Sequence, residues 1–134
     1  MGDVIKHFKD LKVWQKSHEL ELLMYFLTKK FPKSELFGLT NQLRRAVTSI
    51  TANIAEGMGR GTYADRIRFY YNARGSIYEV ESLICTAKDL EYVEKNRFDE
   101  VMETLDSARM LLNAFITKTR CYIGTRNQKI KHVG

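Results

Sequence analysis

Helix breakers are scarce in this chain. Its 134 residues include one proline, Pro32, and the glycines fall mainly at Gly38, in the 57–61 cluster and near the ends. Proline removes a backbone donor and clashes with the preceding turn, and an interior glycine costs about 1 kcal/mol of helix stability. The stretches between them are therefore free to run as long helices, and four carry apolar residues at alternating spacings of three and four. Residues 9–30 place Val13, Leu20, Met24 and Leu27 on one stripe, widened by Trp14 and Phe26, before Pro32 ends the run. Residues 36–58 align Leu39, Leu43, Ala46, Val47, Ile50 and Ile54, and Gly57 and Gly59 are read as the stop. A third stretch opens at Thr62, whose hydroxyl suits an N-cap with Asp65 three residues on. Its expected seam is Phe69, Ala73, Ser76, Val80, Leu83, Ala87 and Leu90. The fourth, residues 97–123, follows an expected cap at Asn96 and runs through Phe98, Val101, Leu105, Ala108, Leu112, Phe115, Thr119 and Tyr122. Short connections between helices of this length predict an all-α, antiparallel up-down-up-down four-helix bundle over residues 1–123, followed by a basic, flexible tail over 124–134.

A hydrophobic content of 44% supplies one core, yet no run reaches the roughly 20 apolar residues that span a bilayer. The stretch from Leu20 to Leu27 is broken by Glu21, and the N-terminus shows no signal-peptide pattern, so the expectation is a soluble, cytoplasmic protein without membrane contact. Cys85 and Cys121 lack metal-ligand spacing; neither a metal, a disulfide nor a cofactor is expected.

The net charge of +6 gains meaning from its placement. An antiparallel bundle brings the chain start, the link between helices two and three, and the chain end to one pole. Arg60, Arg66, Arg68, Lys118, Arg120, Arg126, Lys129 and Lys131 gather there with Lys6, Lys9 and Lys12, while Asp89, Glu91, Glu94, Asp99, Glu100 and Glu103 lie at the other, partly offset by Lys29, Lys30, Lys33, Lys95 and Arg97. Matching of charge to helix dipoles accounts for helix four but not for helix three, where Arg66 and Arg68 sit in the first turns and Asp89 near the last. The eight basic residues from Arg60 to Lys131 are therefore the candidate RNA- or DNA-binding set, with an ordinary solvated charge face as the alternative.

Helix three carries a second stripe of Ile67, Tyr71, Arg74, Tyr78 and Cys85. Tyrosine and arginine are enriched at protein contacts, so Ile67, Tyr71, Arg74 and Tyr78 form the expected subunit interface, with a platform for unpaired bases as the sharper alternative. On helix two, Gln42, Arg45, Ser49, Asn53 and Glu56 make a polar row facing Ser76 and Glu79; Asn53, Glu56, Ser76 and Glu79 are expected to form a structural polar network. Gly75 suggests a close backbone approach. His7, His18 and His132 are separated along the chain and show no triad or metal-site arrangement, and no catalytic residue is expected. The competing enzyme reading uses Arg126 and His132, whose spacing looks like that of helical-bundle ribonucleases of the HEPN class.

Particular residues add what periodicity does not. Phe8, Leu11, Val13, Trp14 and Gln15, then Phe31, Pro32, Glu35, Phe37, Gly38 and Leu39, then Gln42, Leu43, Arg44, Arg45 and Ala46 follow one pattern. It continues in Ser49, Ile50, Ala52, Asn53, Ile54, Ala55, Glu56 and Gly57, and in Ala73, Arg74, Gly75, Ser76, Glu79 and Glu81. Over residues 8–116 the chain resembles the four-helix bundle proteins encoded in intervening sequences of bacterial 23S rRNA genes, with Thr51 where the pattern often has proline. The resemblance implies a cytoplasmic bundle, often a homopentamer, without enzymatic activity. It is also similar to the accessory variability protein of diversity-generating retroelements, which implies a basic surface for nucleic acid and a reverse transcriptase as a possible partner. A protein-interaction scaffold is the alternative to nucleic-acid association.

Overall fold

The computed structural model describes residues 7–124. Its helices are α1 (Lys12–Thr28), α2 (Leu39–Met58), α3 (Tyr63–Asp89) and α4 (Lys95–Ile123), with short 3-10 turns at Phe8–Asp10 and Lys33–Glu35. Tail residues from 125 onward, and Lys6, lie outside the described residues. None of the described helices is long and apolar enough to cross a membrane.

Cross-helix contacts give the topology. Arg44 of α2 donates to Thr28 at the end of α1, and Thr51, further along α2, donates to Glu21 earlier in α1, so the pair is antiparallel. Ser49 meets Ser76 while Gly57 meets Tyr70, which runs α3 against α2. Tyr71 meets Arg120 while Lys88 lies over Phe98, which runs α4 against α3. The circuit closes where Arg97, at the start of α4, covers Phe26 near the end of α1. The predicted up-down-up-down bundle is the structure.

The core is apolar throughout, from Val13, Leu20, Met24 and Leu27 of α1 to Val101, Leu105, Ala108, Leu112 and Ile116 of α4. Three of its buried hydroxyls are satisfied within their own helices: Ser17 donates to the Val13 carbonyl at 2.7 Å, Thr28 to Met24 at 2.8 Å and Thr119 to Phe115 at 2.8 Å.

The seam of α3 differs from expectation. The buried set is Arg66, Tyr70, Ala73, Ile77, Val80, Ile84 and Ala87, with Ile67 and Ser76 beside it. This is also a four-three heptad, and it shares Ala73, Val80 and Ala87 with the expected one. Two registers overlap in the sequence: Tyr70, Ile77 and Ile84 are buried where Phe69 and Leu83 are only half-buried, while Ser76 stays inside on the flank toward α2 with its hydroxyl bonded to Ser49. Leu90 remains 50% exposed. On α4, Ile116 is buried in place of Phe115, whose ring instead packs against Tyr70 at 4.8 Å.

Helix ends are closed by local chemistry. Thr62 accepts from the Asp65 amide at 3.1 Å, as expected of its cap position. At the other end of α3, the Tyr92 amide reaches back to Ala87 and the Glu91 amide to Lys88, a Schellman closure in which Glu91 adopts φ 64°. Asn96 is not the cap of α4: the helix starts at Lys95 after Glu94, and the Asn96 side chain accepts from the adjacent Arg97 amide. Glu35 ties the two links of this pole, accepting from the first amide of α2, Leu39, at 3.1 Å and from the Tyr92 hydroxyl at 2.9 Å. That hydrogen bond to Glu35 holds the Tyr92 phenol above its ordinary pKa.

Two glycines exchange roles. Gly57, read as a stop, lies buried within α2, and a Cβ there would stand 2.5 Å from the Tyr70 ring and 3.1 Å from the Arg66 carbonyl. Gly75, read as the close approach, faces open space. Substitution by alanine therefore acts with opposite signs. Gly57→Ala is expected to destabilise by about 1–3 kcal/mol through overpacking, whereas Gly75→Ala stabilises by about 0.4–1 kcal/mol through reduced unfolded-state freedom. Urea midpoints at unchanged slope measure both.

Candidate nucleic-acid interface

The expected basic cluster at the link between α2 and α3 is largely spoken for. Arg60 pairs with Glu56 at 3.2 Å, lies 3.9 Å from Asp65 and covers the Phe69 ring. Arg68 also pairs with Asp65. The hydrogen bond from Arg68, with the charges of Arg68 and Arg60, holds the Asp65 carboxyl below its ordinary pKa and so keeps it ionised.

Arg66 is not the exposed cation that the sequence suggests: it is 6% exposed. Its Nε donates to the Arg60 carbonyl at 2.8 Å and its Nη1 to the Met58 sulfur at 3.3 Å. The side chain thereby closes the backbone after α2, and its role is structural. Beside it, Tyr70 is 1% exposed and its hydroxyl has no hydrogen-bond partner among the described residues. Burial pushes this phenol up to about 12, against a smaller opposing pull from the Arg66 guanidinium. A phenol raised in the folded state contributes stability that is whole below its unfolded value near 10 and is lost as pH rises through about 12.

Several cations have no acidic partner among the described residues, including Lys29, Lys30, Arg44, Arg45 and Lys88. Arg74 and Arg120 are among them and meet on the α3–α4 face at the Tyr71 ring, whereas Lys118, two residues before Arg120, lies on another side of α4. Arg120 donates to the Tyr71 hydroxyl at 3.0 Å and its guanidinium lies 5.5 Å from that ring. Arg74 lies 5.2 Å from the same ring and donates to Asn113 at 3.4 Å. One turn on, Tyr78 is 54% exposed, with Arg109 at 4.8 Å from its ring. Arg109 is held in turn by Glu81 and Asp106. Toward the chain end the Tyr63 and Tyr122 rings lie 4.7 Å apart, with the Lys118 ammonium 6.0 Å from the Tyr122 ring. The result is a ribbon of planar rings and guanidinium groups along two helices.

Of the expected subunit-contact residues, Ile67 packs into the core at 7% exposure, while Tyr71 and Arg74 engage α4. Tyr78 remains outward. In the expected polar network, Ser76 donates to Ser49 at 2.9 Å and Asn53 joins through Ser49 at 3.0 Å, whereas Glu56 turns to Arg60 and Glu79 is exposed. Arg126, Lys129, Lys131 and His132 lie outside the described residues. Sequence reasoning missed Arg109 and Asn113. Their signal is the row Arg109, Asn113 and Arg120 at helical spacing beside the α4 core stripe.

Fold and surface define a class: an antiparallel helical bundle with a basic, tyrosine-rich face built by its last two helices. The chain belongs to the 23S rRNA-intervening sequence protein family, whose model matches residues 9–114. It is similar in structure to a protein of unknown function from the S23 ribosomal protein family of Bacteroides thetaiotaomicron. That likeness has a TM-score of 0.72 at 26% identity and covers 78% of this chain and 97% of that one. No curated protein matches the chain.

The division between structural and surface arginines is testable by stability. Arg66→Ala is expected to destabilise by about 1–3 kcal/mol, because the Arg60 carbonyl loses its donor, whereas Arg68→Gln changes stability by less than about 0.5 kcal/mol. Thermal melts of the two variants compare them directly.

Proposed function

We propose that this protein is a non-enzymatic, homo-oligomeric bundle that associates with RNA or DNA through its α3–α4 face. The observation that carries the reading is that two guanidinium groups without acidic partners, Arg74 and Arg120, converge from different helices on the Tyr71 ring of one face. A phosphate chain gains most from cations not already neutralised, since each contact releases condensed counterions. Arg60 and Arg68, each facing Asp65, offer less. Family membership supports the reading through its link to rRNA genes. The protein works in the cytoplasm, where such nucleic acid is found, and a reverse transcriptase remains the protein partner that the resemblance implies.

Assembly uses a different surface. The polar groups of Tyr71 and Arg74 are engaged within the subunit, whereas Leu22, Phe26, Leu36 and Phe37 stand exposed on α1 and the link that follows it, Phe37 at 91%. Exposed apolar groups of this size mark contact surfaces. The assembly is the pentamer that the resemblance implies. Light scattering on Phe26→Glu combined with Phe37→Glu should show smaller, still helical particles, while Tyr71→Glu with Tyr78→Glu leaves the mass unchanged. The reverse pattern returns the interface to α3, and a native monomer removes the oligomer.

Binding is tested by a salt series. Replacing Arg74 and Arg120 with glutamine should flatten the dependence of log affinity on log salt by about 0.7 for each single-strand phosphate that the variant no longer engages. Replacing Lys29 and Lys30, near the far pole, should matter little. Equal weakening by both sets means that net charge alone acts; wild-type protein without salt-sensitive binding to any nucleic acid leaves the protein scaffold as the function.

A further inference from the structure

The ribbon on α3 and α4 holds more than charge. Tyr71 is occupied, with Arg120 and Arg74 both packed near its ring and its hydroxyl taken by Arg120. Tyr78 is different: α4 places one cation, Arg109, over the ring, yet 54% of the residue is open to solvent. Arg109 is fixed from the side by Glu81 and Asp106, so the ring is held in place and not merely left out. Nothing in the bundle's packing calls for a tyrosine here, because the neighbouring Ile77 already fills the core position at 0% exposure.

We infer that Tyr78 is a stacking platform for an unpaired base, flanked by Arg74 as the phosphate contact, so that the nucleic acid taken by this face is single-stranded. The inference rests on the nucleic-acid reading above and narrows it. Arg74 precedes Tyr78 by four residues, about 6 Å along the helix, a separation on the scale of one nucleotide. Arg120, anchored on Tyr71, extends the cationic track in the same direction. A duplex offers such a face only its phosphates, since its bases are already stacked and paired. Unpaired bases offer a π-face that any exposed ring can accept without regard to sequence. An aromatic ring between cations is therefore matched to a single strand, and RNA and DNA share the chemistry that it recognises.

Fluorescence polarisation with end-labelled single-stranded oligo(U), single-stranded oligo(dT) and duplex DNA tests this on the full chain. Wild-type protein is expected to bind at least one single strand more tightly than the duplex, and whichever of the two is tighter identifies the source. Tyr78→Ala should weaken single-strand binding by about tenfold, the scale of one base stack, while duplex affinity and salt slope stay as they were. Tyr78→Phe keeps the ring and should keep the affinity. Because Tyr78 is solvent-facing, both variants are expected to melt like the wild type, and the melt is measured alongside. Equal or tighter duplex binding, or single-strand binding indifferent to Tyr78→Ala, overturns the platform while leaving the cationic face intact. Absence of salt-sensitive binding to all three probes overturns both readings together.

Discussion

The tight approach of α3 to α2 sets the rest of the molecule. Gly57 leaves room for the Tyr70 ring and the Arg66 carbonyl against the last turns of α2, so α3 can settle with Tyr70 inward. Once Tyr70 is inward, the helical period puts Ile77 and Ile84 inward as well. The residues one position later, Tyr71 and Tyr78, are then carried toward α4 and solvent. A helix packed between two neighbours has little freedom to rotate, because turning it by one residue exchanges a whole row of side chains. The character of the basic face is thus decided by a residue that has no side chain and lies on a different helix.

Much of the architecture was legible because it depends on local rules. The four runs, the break at Pro32 and the Thr62 cap all follow from periodicity and backbone chemistry, and each is where the sequence puts it. The register of α3 was not. Phe69, Ser76 and Leu83 share Ala73, Val80 and Ala87 with the true seam, so both heptads look sound in one dimension. What separates them is that Tyr70, Ile77 and Ile84 are buried more deeply than Phe69 and Leu83, while Ser76 stays inside by bonding Ser49. Gly57 and Gly75 posed the same difficulty, since a glycine shows that a side chain is missing but not what stands opposite. The expected cap at Asn96 failed by proximity: asparagine suits a helix start, but its side chain here serves the next amide after the helix has begun.

Electrostatic function was the least legible part, for a physical reason. Formal charge counts every arginine alike, whereas a polyanion responds to those left uncompensated. Arg60, Arg66 and Arg68 stand close together in sequence and resemble a binding cluster, yet two face Asp65 and the third is buried against Arg60 and Met58. Arg74 and Arg120 stand far apart in the chain and converge only when α3 and α4 pack. Pairing between distant helices is a property of the fold, and linear charge patterning carries no trace of it.

The bond from Arg120 to Tyr71 bears on the entropy of recognition. A free arginine side chain samples many rotamers, and immobilising one at an interface costs about 0.5–1.5 kcal/mol. In this bundle the ring and hydroxyl of Tyr71 already confine the guanidinium before any ligand arrives. Only one of its five N–H donors is needed for the tyrosine, which leaves the outer edge of the fork available. Folding has therefore removed in advance a loss of freedom that capture would otherwise incur. A ligand meeting this residue finds a donor array already aimed.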